Sequence, residues 1–259
     1  MPESDILLTE CKQGVLTMSL NRPKVNALNL ELIAALQAAF RQAERDTQAR
    51  CVLLIGTGSV FSAGQDVSEF AKGPVSIRYH LLRTYNPLIV QIRKLEKPVI
   101  AAINGAVSGA ALGLALACDL RIASDQARFV VGFAGIGLAP DSAVSLLLPA
   151  LIGLGRASEY TFTNAPISAE QALAWGLVNR LAPADRLNQE ASAWATQLAR
   201  GPVGAMALAK RVFNKAVLGN LEKVLDYEAY IQDIAGKGSE HAEGVAAFLE
   251  KRPAKFSGQ

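Results

Sequence analysis

Apolar and polar positions fall into two regimes along the chain. Up to about residue 180, apolar runs of strand length alternate with helical stretches; beyond Val178 only helical patterns follow. Val15-Leu-Thr-Met-Ser-Leu20 mixes apolar and polar positions as a half-buried strand does. Cys51-Val-Leu-Leu-Ile55, Val99-Ile-Ala-Ala-Ile103, Leu120-Arg-Ile-Ala123 and Phe129-Val-Val131 read as further strands. Asn29 is placed to cap a helix with Ile33, Leu36 and Phe40 on one face. One helix is expected over about 76–95, with Arg78, Arg83, Arg93 and Lys94 as its solvated side. Ser168-Ala-Glu-Gln171 has the form of a capping box, and Gly176 suits the end of that helix. In the tail, helices are expected over about 186–200, 203–218, 221–235 and 241–251, punctuated by Gly201-Pro202 and Gly236-Lys-Gly238. The pattern predicts a mixed α/β core at 1–185 followed by a helical region at 186–259.

Two strand exits resemble each other: Val60-Phe-Ser-Ala-Gly64 and Ala106-Val-Ser-Gly-Ala110. Both place small residues where backbone must approach something closely. This weak repeat suggests a spiral of strand-strand-helix turns. The uncharged stretch 98–118, with Gly105, Gly109 and Gly113 at four-residue spacing, invites a membrane reading. Asn104-Gly105 is a turn signal that splits it into a strand and a short buried helix, so no membrane span is expected.

Composition narrows the chemistry. Hydrophobic residues make up 51% of the 259 and charged ones 19%, enough apolar material for a sizeable core. A net charge of +3 does not argue for nucleic acid. Cys11, Cys51 and Cys118 lack a C-x-x-C pair and read as reduced, buried thiols. Met1-Pro-Glu-Ser-Asp5 lacks a basic-then-apolar signal pattern, so a cytoplasmic location is expected.

Gly135-Ile-Gly137-Leu-Ala-Pro140 starts like a dinucleotide loop, but Pro140 stands where a third glycine should pack. Ser62 is half of a nucleophile elbow, with Val60 in place of its first glycine. The two histidines, His80 and His241, lie in polar helical contexts and are expected at the surface, leaving no His-rich metal site or triad.

Read in order, several segments resemble the crotonase (enoyl-CoA hydratase/isomerase) superfamily. They are Asn21-Arg-Pro-Lys-Val-Asn-Ala-Leu28, Phe61-Ser-Ala-Gly-Gln-Asp66, Ala102-Ile-Asn-Gly-Ala-Val-Ser-Gly-Ala-Ala-Leu-Gly113 with Cys118-Asp119, Ile136-Gly-Leu-Ala-Pro-Asp141, and Gly244-Val-Ala-Ala-Phe-Leu-Glu-Lys-Arg252. The resemblance implies an α/β fold: a ββα superhelical spiral with a C-terminal helical trimerisation region, assembled as a homotrimer or dimer of trimers. It implies an acyl-CoA thioester as substrate and no cofactor beyond the CoA moiety.

A thioester enolate carries negative charge on one oxygen, and two preorganised backbone N–H groups stabilise such a charge. By resemblance those donors belong to Gln65 and Ala110. By the same resemblance the CoA end is held by Lys24, Val25, Ala63 and Asp66, with Phe248 and Lys251 added from a neighbouring subunit's last helix.

Hydration of an enoyl thioester uses two carboxylates. In the hydratases these glutamates fall at positions that align with Gly113 and Phe133, neither of which moves a proton. One acid remains nearby, Asp141, readable as a helix cap or as a single general base. Its setting resembles the isomerases of bacterial phenylacetate breakdown, which open ring epoxides of CoA thioesters and shift enoyl-CoA double bonds. An isomerase needs one base. The expected activity is therefore acyl-CoA isomerisation, with a divergent hydratase, another enzyme of this fold, or a non-catalytic acyl-CoA binder as alternatives. Phe133, Leu112 and Leu138 are candidates for an apolar acyl pocket.

Overall fold

The computed structural model describes residues 6–22, 24–72, 76–256 and 258. Met1–Asp5, on which the reading of the N-terminus rests, and Pro23 of the first motif lie outside them. Among the described residues, ten strands form two sheets. The larger contains β1 (Leu7–Lys12), β2 (Val15–Leu20), β3 (Cys51–Gly56), β5 (Val99–Ile103), β7 (Leu120–Ser124) and β10 (Arg180–Ala182), in the order β1-β2-β3-β5-β7-β10. β1 is antiparallel to β2, and every other pairing in this sheet is parallel. The smaller sheet contains β4 (Val60–Ser62), β6 (Ala106–Ser108), β8 (Arg128–Val130) and β9 (Ile167–Ser168), with the first three parallel.

The central strands β3 and β5 of the main sheet are buried on both faces, which is why they read as continuous apolar runs. Strand alternation divides the side chains. Val52 and Leu54 of β3, with Val99, Ala101 and Ile103 of β5, join the larger core. Cys51, Leu53, Ile55, Ile100 and Ala102 face the other way, against Leu187, Ala191, Trp194 and Ala195 of α8 (Leu187–Arg200). The larger core is covered by α1 (Leu30–Arg45), α3 (Tyr85–Lys94), α4 (Ala110–Ala117) and α5 (Val144–Ile152). Leu221, Leu225 and Ala229 of α10 (Leu221–Ala235) also enter it. Both cores thus draw on residues from each side of position 185.

The remaining helices are α2 (Ile77–Arg83), α6 (Leu154–Thr163), α7 (Ala169–Ala174), α9 (Val203–Val217) and α11 (Ser239–Glu250). Asn29 caps α1 through its side chain, and Ser168 with Gln171 forms the capping box of α7. No helix among the described residues is long and apolar enough to cross a membrane.

Four sequence expectations are corrected. The single helix over 76–95 is two, α2 and α3, broken at Thr84. Pro87 explains the break: it has no N–H for the Arg83 carbonyl, and its ring disfavours a continuous helix there. Gln37 takes up the freed Arg83 carbonyl (3.1 Å) and also donates to that of Thr84 (2.7 Å). Nor is Arg93 solvated; it donates to Asn214, the Ala117 carbonyl and Asp119. Cys11 is exposed because β1 is an edge strand with only its first residue buried, whereas burial pushes the Cys51 and Cys118 thiols up to about 12. Both histidines are buried rather than at the surface.

Candidate active site

The smaller sheet lays three strand exits side by side. β4, β6 and β8 each run into a glycine with positive φ: Gly64 (+87°), Gly109 (+57°) and Gly132 (+87°). The repeat read in the sequence covered the first two; the third follows from β8. At Gly64 and Gly132 the turn comes where bulk cannot fit. A Cβ on Gly64 would lie 2.6 Å from the Ser108 carbonyl oxygen and 3.6 Å from the Ala110 nitrogen. A Cβ on Gly132 would lie 2.5 Å from Ser108 Oγ.

The first exit is laced to the segment before α1. Leu28 N–H donates to the Gly64 carbonyl (2.7 Å), Asp66 N–H to the Leu28 carbonyl (2.8 Å) and Ala63 N–H to the Val25 carbonyl (3.0 Å). In this parallel bridge the Gln65 N–H points away from the partner. Neither it nor the Ala110 N–H donates to an acceptor among the described residues. These are the two donors expected from the sequence, and both residues line one cavity of about 420 Å³. Ser62 is fully buried and donates to the Asn26 carbonyl, so it is no exposed nucleophile.

The cavity brings Gln65, Ala110 and Asp141 together with Val25, Ala63, Asp66 and Phe248. Lys24 and Lys251 are exposed and are not on its wall. Phe248 arrives from α11 of the same chain, which packs against the 3₁₀ turn Ala134–Ile136. The expectation that Phe248 comes from a neighbouring subunit is corrected to that extent. Phe133 and Leu138 line the cavity, whereas Leu112 is buried in the core away from it.

Two carboxylates stand on the described wall. Asp66 pairs with Arg22 at 2.6 Å and accepts from Ser68; these bonds outweigh its partial burial and hold its carboxyl below the usual range. Asp141 is 6% exposed, and burial pushes its pKa up to about 6 against the hydrogen bonds from Ser142 (2.7 Å) and Gln232 (2.6 Å). The helix-cap alternative for its side chain does not hold. α5 begins at Val144, and Glu228 of α10 takes the N–H groups of Ala143 (2.9 Å) and Ser145 (3.2 Å). Burial pushes Glu228 up to about 7.

Sequence reasoning missed the polar wall that faces this acid. Tyr85 donates to Gln65 Oε1 (2.6 Å), and His80 Nε2 lies 3.0 Å from the same oxygen. Gln65 Nε2 in turn donates to Glu69 (2.9 Å). Glu69 accepts only, so it fixes the amide orientation, and His80 must carry its proton on Nε2. Burial depresses the His80 pKa.

A sequence model of this architecture, described as enoyl-CoA hydratase/isomerase, matches residues 10–259. The chain belongs to the enoyl-CoA hydratase/isomerase family. It is 38% identical to the 1,2-epoxyphenylacetyl-CoA isomerase of Escherichia coli (strain K12), over 98% of this chain and 99% of that one. It is 36% identical to 4-chlorobenzoyl coenzyme A dehalogenase-2 of an Arthrobacter species, over 93% and 90% of the two chains. The crystal structure of an enoyl-CoA hydratase from Mycobacterium avium subsp. paratuberculosis K-10 superposes with a TM-score of 0.89 at 32% identity, covering 97% and 98%. The fold is the family's crotonase fold, and the chain is an acyl-CoA-processing enzyme. These relatives carry three different reaction names, so the family alone does not choose the reaction.

Proposed function

We propose that this enzyme is an acyl-CoA isomerase that shifts a double bond, or opens a ring epoxide, in an enoyl- or aryl-CoA thioester. The observation that carries the proposal is that the cavity holds one buried carboxylate of raised pKa, Asp141, where hydration would use two. Gly113, where hydratases place a glutamate, has no room for a side chain: a Cβ there would lie 2.4 Å from the Ser142 carbonyl oxygen. The missing Cβ lets α4 and the Asp141–Ser142 segment close together. Phe133 fills the second glutamate position with an apolar wall.

In the proposed reaction Asp141 removes a proton from C2 of a 3-enoyl thioester. The electron pair moves onto the thioester oxygen, where the Gln65 and Ala110 N–H groups hold it. Asp141 then returns the proton to C4 as the double bond settles between C2 and C3. Val25, Ala63, Asp66 and Phe248 would receive the CoA portion near the mouth, with Lys24 and Lys251 reaching its phosphates as point charges. The exposed apolar residues Leu208, Val212, Phe213 and Val217 of α9 support a homotrimer or dimer of trimers, with a cytoplasmic location proposed alongside.

The test is Asp141→Asn with a panel of 3-enoyl-CoAs in deuterated water, read by mass spectrometry. Loss of about a hundredfold or more in isomerisation and C2 exchange, with acyl-CoA binding kept, is expected; near-normal turnover would refute the assignment. In the native enzyme kcat/KM should fall about tenfold per unit as pH drops below about 6, because the ionised base is lost there.

The same group sets a stability signature. A carboxyl whose folded pKa rises from 3.8 to about 6 favours folding below pH 3.8 and loses that advantage as pH climbs through 6, a span worth about 3 kcal/mol. Asp141→Asn should therefore be the more stable protein at pH 7.5 in urea melts, with the gain fading toward pH 4.

A further inference from the structure

α10 turns two buried polar side chains, one helical turn apart, toward the segment 139–145. Buried polar groups on a helix stripe are costly unless bonded, and both of these are bonded to that segment. Glu228 accepts from the N–H groups of Ala143 and Ser145 and from the Ser145 hydroxyl, so it pins the backbone just after Asp141. Gln232 is fully buried. Its Oε1 accepts from the Ala139 N–H (3.2 Å) and its Nε2 donates to Asp141 Oδ2 (2.6 Å). A peptide N–H can only donate, so Ala139 decides which end of the amide is oxygen. The NH2 end is thereby aimed at the carboxylate. The other carboxylate oxygen holds the Ser142 hydroxyl at 2.7 Å.

We propose that Gln232 is a positioning residue that keeps the Asp141 carboxylate ionised and aimed into the cavity, a role that rests on Asp141 being the base. An N–H donor stabilises the anion far more than the neutral acid, so it opposes the effect of burial. Held on one oxygen by Gln232 and on the other by Ser142, the carboxylate cannot turn about its last torsion without losing a donor. The base is thus set from two directions: the backbone by Glu228 and the side chain by Gln232. Both residues belong to a helix of the C-terminal region, which is therefore part of the site within one chain.

Other groups around Asp141 have to be counted before a pH profile is read. Tyr85 of α3 and His80 of α2 share its cavity, Glu228 lies on α10, and His241 of α11 is bonded to the Ile136 carbonyl (2.8 Å). α4 carries no ionisable side chain, and Arg156 and Glu159 of α6 are exposed. Tyr85 is pushed well above its usual range, chiefly by burial and then by the Asp141 charge. Of these, His80, depressed by burial from its ordinary imidazole range, and Glu228, pushed by burial up to about 7, are the groups whose titration has to be separated from that of Asp141.

The experiment compares the native enzyme with Gln232→Met and Gln232→Glu. It reads kcat/KM against pH together with the Asp141 carboxyl titration by 13C NMR, assigned through Asp141→Asn. Met fills nearly the same space without a donor. Its acid limb and carboxyl titration should move up by about one pH unit. Glu keeps the length and an acceptor for Ala139, which protects the fold, but it sets a second carboxyl against Asp141. The pair then shares a proton, and the limb should move up further still.

Lower turnover at every pH in both variants, with limb and carboxyl titration unmoved, overturns the proposal: Gln232 would then only fill space. A limb that survives Asp141→Asn overturns the base assignment and this proposal with it. A limb that vanishes in Asp141→Asn yet stays put in Gln232→Met overturns this proposal alone.

Discussion

The first and second strand exits do the same geometric job with different materials. At the first, Gly64 is needed twice over: its φ of +87° disfavours a side chain, and the Ser108 carbonyl oxygen occupies the place of its Cβ. At the second, Gly109 has a φ of +57°, but nothing lies within 4 Å of a Cβ built on it. The donors differ in the same sense. Gln65 is anchored by its own side chain, through Tyr85, His80 and Glu69. Ala110 has no such anchor and is fixed as the first residue of the buried helix α4. One donor is held by a polar network and the other by a packed helix, so the two should fail in different ways.

The largest effect is expected at the first exit. Gly64→Ala forces two backbone segments apart, because the group in the way is a main-chain oxygen that cannot swing aside. We expect kcat/KM to fall by about a thousandfold or more, alongside a lowered melting temperature. Gly109→Ala meets only backbone strain, of about 1–3 kcal/mol. It should cost roughly ten- to a hundredfold with the fold kept. Steady-state kinetics and thermal melts on both proteins check the contrast; equal damage from the two substitutions would remove the distinction between the exits.

The same contrast separates what was legible in the chain from what was not. Strands such as Val99–Ile103 and helices such as α10 stood out because apolar runs and stripes report burial directly. The two exits stood out because small residues cluster there, and Asp141 because it is an acid in an apolar stretch. Polar side chains that meet across long sequence separations left no such trace. Tyr85 and Gln65 are 20 residues apart and Gln232 and Asp141 are 91 apart.

Local clues were nevertheless present. Pro87 marks the break that turns Tyr85 toward Gln65. Glu228 and Gln232 interrupt the buried stripe of α10 that Leu221, Leu225 and Ala229 otherwise make apolar. A polar residue at a stripe position asks for a buried partner, and here both partners lie beside the proposed base. His80 and His241 were misplaced for the converse reason: polar neighbours in sequence say little about which helix face a residue occupies.

The smallest expected effect tests whether the Gln65 network serves the reaction at all. Tyr85→Phe removes one of the two donors on Gln65 Oε1 and leaves His80 and Glu69 in place. The loss of a single buried hydrogen bond is worth about 1 kcal/mol, or roughly five- to tenfold in rate. Its distribution between the kinetic constants carries the information. If the network sets the direction of the Gln65 N–H, the loss falls on kcat, since that donor works hardest when the enolate oxygen is fully charged. If Tyr85 is simply part of the acyl pocket wall, the substitution changes the fit of substrate and transition state alike, and the loss falls on KM. A KM effect with kcat unchanged would therefore detach the network from catalysis and leave the two donors held alike, by backbone packing alone.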